Sequence, residues 1–147
     1  MTIDPRTLEH LRATVWPVLE ESFRLPRGIL EAVATWETRG QFDARAYNPG
    51  SGARGVFQLT PIALTQVRQD IGLQADPFNP YAASAAAAAL LGRYARLFND
   101  EPTLMVAAYN AGEGTVKKFL RDVKQRGRGF LPAETRDYIA NVVPMLK

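Results

Sequence analysis

The sequence predicts a single, mainly helical domain with at most a small β-hairpin. Three observations favour this fold class. Six X-Pro pairs precede runs with helical apolar spacing, alternating β-branched residues are scarce, and 147 residues suffice for one hydrophobic core but hardly for two. No repeat, low-complexity tail or linker divides the chain, so we expect one domain over residues 1–147.

Helices are predicted, in chain order, at about 5–23, 26–38, 61–71, 80–98, 102–110, 114–125 and 132–145. An X-Pro pair marks a helix start because proline at the first helical position loses no hydrogen bond. Asp4, Thr60 and Asn79 are also favourable N-caps. Pro17 lies inside the first helix and predicts a break or kink there. The helix at 80–98 has small residues on almost all of its faces and can therefore lie close to its neighbours, so we expect it at the centre of the domain.

The segment between the second and third helices, residues 40–58, contains four glycines and an Asn-Pro turn. Glycine permits positive φ and a close approach of the backbone to a ligand. Gln58 follows, with an amide that can orient a polar substrate. Turn chemistry ahead of the helix at Thr60-Pro61 is the simpler alternative.

The composition excludes several kinds of chemistry. Without cysteine there is no disulfide, thiol nucleophile or thiolate metal site. The single histidine, His10, lies in a charged N-terminal segment with no motif around it, and we expect a surface residue. No cluster of His, Asp or Glu has metal-ligand spacing, so we expect neither a metal nor another cofactor. Acid–base catalysis would then depend on carboxylates.

The hydropathy and charge patterns indicate whether the chain crosses a membrane and which kinds of partner it could bind. No uncharged apolar run is long enough to cross a membrane, and the charged N-terminus does not resemble a secretory signal. A net charge of +3 suits a polyanionic partner such as a cell wall or a nucleic acid. Residues 117–128 are rich in Lys and Arg, but a solvated helix face explains them better than nucleic-acid binding, and we expect no nucleic-acid partner.

A carboxylate ends the apolar stripe of the second helix. Leu30, Val33 and Ala34 are followed at helical spacing by Glu37, and Gly40 is a plausible stop for the helix. The negative end of the helix dipole and apolar surroundings would both raise the pKa of Glu37, which suits a general acid. On periodicity alone, a boundary glutamate that reaches water is the more frequent case.

Two later segments contain further candidates. In "AAYNAGEG", residues 107–114, a helix ends in Tyr109 and Asn110, which could equally be a core aromatic and a C-cap. In "LPAETRDYIANV", Glu134 and Tyr138 lie one turn apart on one helix face. Each pair alone is more often an ordinary packing or surface feature.

Four segments in this order, "ATWET", "GARGVFQLTP", "AAYNAGEG" and "ETRDYIANV", resemble the catalytic domain of the soluble lytic transglycosylases. The family pattern has a helix-terminal Glu followed by Ser, a "GARGLMQ"-like loop, "AYNAG" and "ETRxYV". The resemblance covers about residues 26–143. It implies a lysozyme-like α+β fold and cleavage of peptidoglycan strands at the β-1,4 bond between N-acetylmuramic acid and N-acetylglucosamine.

The resemblance also implies the chemistry. Glu37 would be the single catalytic acid/base, protonating the glycosidic oxygen and then accepting the proton of the muramyl C6 hydroxyl as that oxygen attacks C1. The product is a 1,6-anhydro sugar. Because the substrate assists its own cleavage, a second catalytic carboxylate is not required.

By the same resemblance, the expected substrate contacts are Thr38, Asn48, Gln58, Tyr109, Asn110, Glu134 and Tyr138. Tyr109 is expected near Glu37 and the acetamido group, and Asn110 contacts substrate or caps its helix. Thr38 stands where the family has serine, and Val56-Phe57 replaces the common Leu-Met. The loop is longer here, which leaves the alignment of Asn48 open.

Several alternatives remain open at this point. Asp43, six residues after Glu37, could position a water and give hydrolysis as in goose-type lysozymes, although we rank anhydro formation higher. A glycan-binding module without activity is disfavoured by the intact Glu37. The substrate lies outside the cytoplasmic membrane, so we expect delivery by a phage particle, by lysis or by a secretion apparatus, or a domain of a longer exported protein, and we favour the phage.

Overall fold

The structure, a computed structural model, describes residues 2–147. Its α-helices are α1 (Pro5–His10), α2 (Trp16–Ser22), α3 (Ile29–Thr38), α4 (Pro61–Ile71), α5 (Pro80–Leu97), α6 (Pro102–Ala111), α7 (Glu113–Arg126) and α8 (Ala133–Val142). An antiparallel hairpin of β1 (Tyr47–Asn48) and β2 (Ala53–Arg54) lies between α3 and α4. The predicted class, mainly helical with a small hairpin, is confirmed.

The first predicted helix is irregular, but Pro17 does not break it. A π-helical turn, Leu11–Val15, joins α1 to α2 and keeps the backbone helical up to Ser22. In a regular α-helix the ring of Pro17 would clash with the carbonyl four residues earlier, and the wider turn ahead of it relieves that contact. Of the predicted break or kink, the backbone shows no break, and the irregularity takes the form of a widened turn ahead of Pro17.

Helix α3 is shorter than predicted at its N-terminal end. Gly28 has φ +86°, so the helix begins at Ile29 rather than at residue 26. The carboxylate of Glu20, a buried residue of α2, accepts bonds from the backbone N–H groups of Gly28 at 3.1 Å and Leu30 at 2.9 Å. It thereby satisfies two donors that the first turn of a helix leaves unpaired.

The C-terminal end of α3 is set by two consecutive residues with positive φ. Arg39 has φ +54° and Gly40 has φ +77°, so the helix ends at Thr38, the predicted last residue, and Gly40 follows the C-cap Arg39. The N–H of Gly40 donates to the carbonyl oxygen of Thr35 at 2.8 Å, which closes the last turn. Glu37 is consequently held in a well-defined final turn.

Helix α5 occupies the centre of the domain, as its small residues predicted. Eleven of its residues are buried, most of them alanines, and it packs against α2, α3, α4 and α6. Helix α6 packs in turn against α7 and α8, and α8 also contacts α3. This arrangement brings the last turn of α3 next to α8, although the two helices are far apart in sequence.

The loop that follows the hairpin is fixed by a glycine. Gly55 has φ +78°, and a Cβ built on it would lie 1.8 Å from the carbonyl oxygen of Pro77, so no larger residue fits. Its N–H donates to the carbonyl oxygen of Ala46 at 2.8 Å. Gln58, three residues later, also has positive φ, +48°. The tight turn therefore determines where the side chain of Gln58 points.

Candidate active site

A polar cavity of about 420 Å³ lies where the last turn of α3, the hairpin, the end of α6 and the start of α8 meet. It is lined by Glu37, Asn48, Gly50, Ser51, Ala53, Gln58, Thr60, Tyr109, Asn110 and Glu134. Six of these residues were predicted from the sequence, and they come from four separate segments of the chain. The fold thus collects most of the candidate residues in one place.

Glu37 is the largely buried acid of the cavity. Burial raises its pKa from an ordinary value of 4.5 to about 7. A hydrogen bond from the hydroxyl of Tyr138 to Oε2, at 2.9 Å, opposes the rise, and the negative charge of Glu134 adds to it. The predicted rise is confirmed, with burial as its main cause. Near neutral pH a large share of the Glu37 side chains therefore keep their proton.

Tyr138 supports Glu37 from behind the cavity rather than lining it. Only 2% of Tyr138 is exposed, and the ring of Trp36 packs edge-on against it at 6.5 Å between centroids. Burial first, and then the charge of Glu37, hold the pKa of Tyr138 well above its usual range, so its hydroxyl remains a donor. Because this donor engages Oε2, the Oε1 atom of Glu37 is left for the cavity.

Tyr109 forms part of the wall beside Glu37. Its hydroxyl donates to the carbonyl oxygen of Phe57 at 2.7 Å, which ties the end of α6 to the hairpin loop. Burial and then the charge of Glu37 raise its pKa well above the ordinary value. The ring is therefore a neutral, fixed surface in the cavity.

Two amide side chains lie on the hairpin side of the cavity. The Nε2 of Gln58 donates to the carbonyl oxygen of Gly55 at 2.9 Å, which leaves Oε1 able to accept a bond from a ligand. The Oδ1 of Asn48 accepts a bond from the N–H of Gly50 at 3.0 Å, which leaves the Nδ2 group as a donor. The hairpin thus offers one acceptor and one donor in fixed positions.

The opposite edge of the cavity is formed by α6 and α8. The Oδ1 of Asn110 accepts a bond from the hydroxyl of Thr135 at 2.8 Å, and its Nδ2 lies 3.5 Å from Oε1 of Glu134. Thr135 is buried and was not predicted as part of the site. Its position next to Glu134 in the "ETR" segment was the available signal. These contacts fix Asn110 and join the two helices.

Thr38 does not reach the cavity, so its predicted contact with substrate is not supported. Its hydroxyl donates to the carbonyl oxygen of Ala34 at 2.8 Å and accepts a bond from the N–H of Phe42 at 2.9 Å, and the residue is buried. Both hydrogen-bonding capacities serve the turn after α3. Asp43 is likewise absent from the lining, and its carboxylate accepts a bond from the N–H of Arg45 at 2.9 Å.

Four lining residues were not predicted as site residues: Gly50, Ser51, Ala53 and Thr60. Thr60 was recognised only as an N-cap, and its hydroxyl does accept a bond from the N–H of Ala63 at 3.2 Å. Three of the four belong to the hairpin, whose curvature brings backbone and small side chains to the cavity. Periodicity gives no signal for such a turn.

Three findings concern the rest of the described chain. Across residues 2–147, no three His, Asp or Glu side chains gather closely enough to hold a metal ion. None of the helices described here is both long and apolar enough to cross a membrane. His10 is a surface residue, as predicted, with Nδ1 3.0 Å from the hydroxyl of Tyr81.

Helices packed around α5, a short hairpin and one proton-retaining glutamate in a polar cleft define a lysozyme-like domain. Solved structures share this fold. They include an inactive Glu→Gln mutant of the lytic transglycosylase Slt from Pseudomonas aeruginosa, with a TM-score of 0.74 and 24% identity over 88% of this chain and 22% of that chain. The 70 kDa soluble lytic transglycosylase of Escherichia coli has a TM-score of 0.70 and 25% identity, covering 82% of this chain and 21% of that one.

The chain belongs to the transglycosylase SLT domain family, whose model matches residues 15–129. The membrane-bound lytic murein transglycosylase D of Escherichia coli K12 is 30% identical over 115 residues, which cover 71% of this chain and 24% of the relative. The chain therefore spans about a quarter of that relative's length. A complex of the 70 kDa soluble enzyme with bulgecin A is also similar, with a TM-score of 0.73 and 23% identity over 94% of this chain and 24% of that chain.

Proposed function

We propose that this domain is a peptidoglycan lytic transglycosylase that cleaves the β-1,4 bond between N-acetylmuramic acid and N-acetylglucosamine and leaves 1,6-anhydro-muramyl ends. Membership of the family supports the substrate class. The single observation that carries the chemistry is Glu37, a largely buried carboxylic acid with a pKa of about 7 that faces a polar cavity. An acid with this pKa can both donate and accept a proton near neutral pH.

The proposed reaction uses Glu37 twice. The Oε1 atom, which Tyr138 leaves available, carries the proton and gives it to the glycosidic oxygen as the bond to C1 breaks. The N-acetylglucosamine departs with a free 4-hydroxyl, and positive charge develops at C1. The carboxylate of Glu37 then takes the proton of the muramyl C6 hydroxyl, whose oxygen forms the new bond to C1. Glu37 is protonated again at the end, and no water is consumed.

Substrate positioning is assigned to the fixed polar groups of the lining. Gln58 Oε1 and Asn48 Nδ2 would bond the hydroxyl and acetamido groups of the sugars, and the ring of Tyr109 would support the sugar next to Glu37. Asn110 is oriented by Thr135 and would contact the sugar from the other edge. All four side chains are held by a backbone group or, for Asn110, by the buried Thr135, which suits a preorganised site.

Hydrolysis is the competing reaction, and the carboxylate of Glu134 is the reason to test for it. Asp43 does not line the cavity, so it is badly placed to activate a water there. Glu134 does line it, and a second carboxylate can act as a base in an inverting or retaining glycosidase. We assign Glu134 instead to raising the pKa of Glu37, because its charge acts in that direction.

Mass spectrometry of the products released from purified peptidoglycan tests the proposal. Anhydro-muramyl ends, with a mass lower by one water than reducing ends, are expected. Reducing ends alone would assign hydrolysis to the site. Complete absence of products from folded protein would leave a domain that binds glycan without cleaving it.

Delivery by a phage particle or a secretion apparatus stays a prediction. The reason for it is the place of the proposed substrate, outside the cytoplasmic membrane. Immunodetection of the protein in purified virions, compared with periplasmic and secreted fractions of the producing cells, would decide between the routes.

A further inference from the structure

The positive charge of the chain is concentrated in residues 113–131, which we call the basic arm. The arm consists of α7 and the segment 127–131 that leads back toward α8. It contains six Lys or Arg and two acidic side chains, so its net charge is +4, whereas the whole chain carries +3. The remainder of the molecule is therefore nearly neutral.

The basic arm is flanked in the chain by two residues that line the cavity. Asn110 just before the arm and Glu134 just after it line the cavity and approach each other to 3.5 Å. Fourteen helical residues extend about 20 Å, so α7 can lead well beyond the cavity edge. The return segment lies against α7, because a Cβ on Gly129 would be 2.7 Å from the carbonyl oxygen of Phe119. The arm is thus continuous with the site.

Most cations of the arm form no ion pair with another described residue. Lys117 pairs with Glu113 at 2.9 Å and Lys118 with Asp122 at 2.7 Å. The other four cations are exposed and have neither an ion pair nor a side-chain hydrogen bond within residues 2–147; they are Arg121, Lys124, Arg126 and Arg128.

An exposed aromatic residue accompanies these charges. Phe130, in the return segment, is 81% exposed, and Val123 and Leu120 on α7 are partly exposed as well. Large exposed apolar side chains beside unpaired cations form a surface suited to a ligand that is both anionic and partly apolar. The arm therefore offers two kinds of contact within a short distance.

We propose that the basic arm is a second recognition surface of the same site and binds the acidic stem peptides of the strand outside the cavity. This inference rests on the proposed function. Stem peptides carry free carboxylates as well as apolar side chains, whereas the sugar hydroxyl and acetamido groups are uncharged. The guanidinium groups of Arg121, Arg126 and Arg128 match a carboxylate in geometry and charge. Continuity with the cavity favours a ligand that extends from the bound glycan.

The test measures binding in the Glu37→Gln background, where cleavage does not interfere. Two soluble ligands are titrated by calorimetry: glycan strands with stem peptides, and the same strands stripped of peptides by an amidase, with the lactyl carboxylates that the amidase exposes converted to uncharged amides. The arm variant carries the substitutions Arg121→Gln, Lys124→Gln, Arg126→Gln and Arg128→Gln. We expect about tenfold weaker binding of the peptide-bearing strands, the sum of four exposed charge contacts, and no change for the stripped strands.

A control variant removes the same charge elsewhere. It carries Arg6→Gln, Arg27→Gln, Arg68→Gln and Arg96→Gln, all exposed residues outside the arm and the cavity. We expect it to bind both ligands like the parent protein. Circular dichroism and thermal melting of both variants confirm that each is folded.

Five results would overturn the inference. One is an equal loss of affinity for both strands, and another is an equal loss in the control variant. The third is tighter binding of the parent protein to duplex DNA or to phosphatidylglycerol vesicles than to peptide-bearing strands. If active protein cleaves both strands and the arm substitutions change nothing, the arm inference alone fails. If the protein neither cleaves nor binds either strand, the proposed function fails with it.

Discussion

Two glutamates with little exposure lie at opposite ends of α3, and their surroundings give them different roles. Glu20 lies beside the N-terminal end, where its carboxylate accepts two backbone N–H bonds, from Gly28 and Leu30. Glu37 lies in the C-terminal turn and receives one bond, from the hydroxyl of Tyr138. One residue type thus serves as a helix cap at one end and as a proposed acid at the other.

The difference follows from the direction of the helix. A helix N-terminus presents unpaired N–H donors, which suit a carboxylate, whereas the last turn presents carbonyl oxygens. Glu37 also has Glu134 nearby and is largely removed from water, and its pKa rises to about 7. The lesson is that burial alone does not make a glutamate reactive; what matters is which groups replace the lost water.

The largest expected effect is the loss of activity when Glu37, the proposed acid of the pair, is substituted. Glu37→Gln keeps the size of the side chain but removes the proton donor, so cleavage should fall by about 10²- to 10⁴-fold. The rate of release of soluble fragments from purified peptidoglycan measures the loss, with circular dichroism as the check on folding. A variant that retained more than a tenth of the parent rate would contradict the role assigned to Glu37.

The second effect concerns stability and pH. The unfolded chain loses the Glu37 proton near pH 4.5 and the folded chain near pH 7, so the folded state binds more protons between these values and its stability falls as pH rises. The cost of ionising the buried Glu37 does not lower the free energy of unfolding below pH 4.5. Above pH 7 this cost lowers it by about 3 kcal/mol. Glu37→Gln removes this cost.

Urea denaturation of the parent protein and Glu37→Gln at pH 4 and pH 8 tests this sign. The variant should gain free energy of unfolding relative to the parent at pH 8 and much less at pH 4. An advantage that did not change between the two pH values would show that the Glu37 pKa is not raised by folding.

The third effect is expected at the other end of α3. Glu20→Ala leaves two N–H groups of the helix start without their acceptor and should lower the free energy of unfolding by about 2 kcal/mol. Glu20→Gln retains one acceptor oxygen and should lose roughly half as much. Cleavage per folded molecule should stay near the parent rate in both variants. A strong loss of activity with unchanged stability would reverse the roles of the two glutamates.

The smallest effects come from the two neighbours that adjust the Glu37 pKa in opposite directions. Tyr138→Phe removes a hydrogen bond that lowers it, so the pKa should rise, and Glu134→Gln removes a like charge, so the pKa should fall. Both shifts should be modest because burial is the largest cause. The high-pH limb of the pH–activity profile should shift to higher pH in Tyr138→Phe and to lower pH in Glu134→Gln. A shift in the same direction in both variants would contradict the opposite effects assigned to these two residues.

Local signals made the helices predictable. The helix predicted at 61–71 matches α4, and the one at 80–98 matches α5 to within one residue, because Thr60 and Asn79 cap helices that begin with proline. The site residues of the cavity depended on the family resemblance as well as on spacing. The start of α3 could not be predicted, since Leu25-Pro26 suggests a helix and the left-handed Gly28 postpones it.

Two features of the site show where local patterns do and do not suffice. Leu30, Ala34 and Thr38 recur every four residues on the buried face of α3, so periodicity could have placed Thr38 in the interior. The bond between Tyr138 and Glu37 joins residues 101 positions apart. It depends on how α8 packs against α3, and no local pattern reports that.

The close contact at Gly55 shows which positions around the cavity can accept a larger side chain. Any side chain at that position would collide with the Pro77 carbonyl and displace the backbone oxygen that orients Gln58, so even alanine should misalign the acceptor. Gly50, at the opposite end of the hairpin, has no positive φ, and a Cβ there would meet only the Oδ1 atom of Asn48, at 3.3 Å. Engineering of new sugar preferences should therefore begin at residue 50, where a side chain meets one tight contact, rather than at residue 55, where none fits.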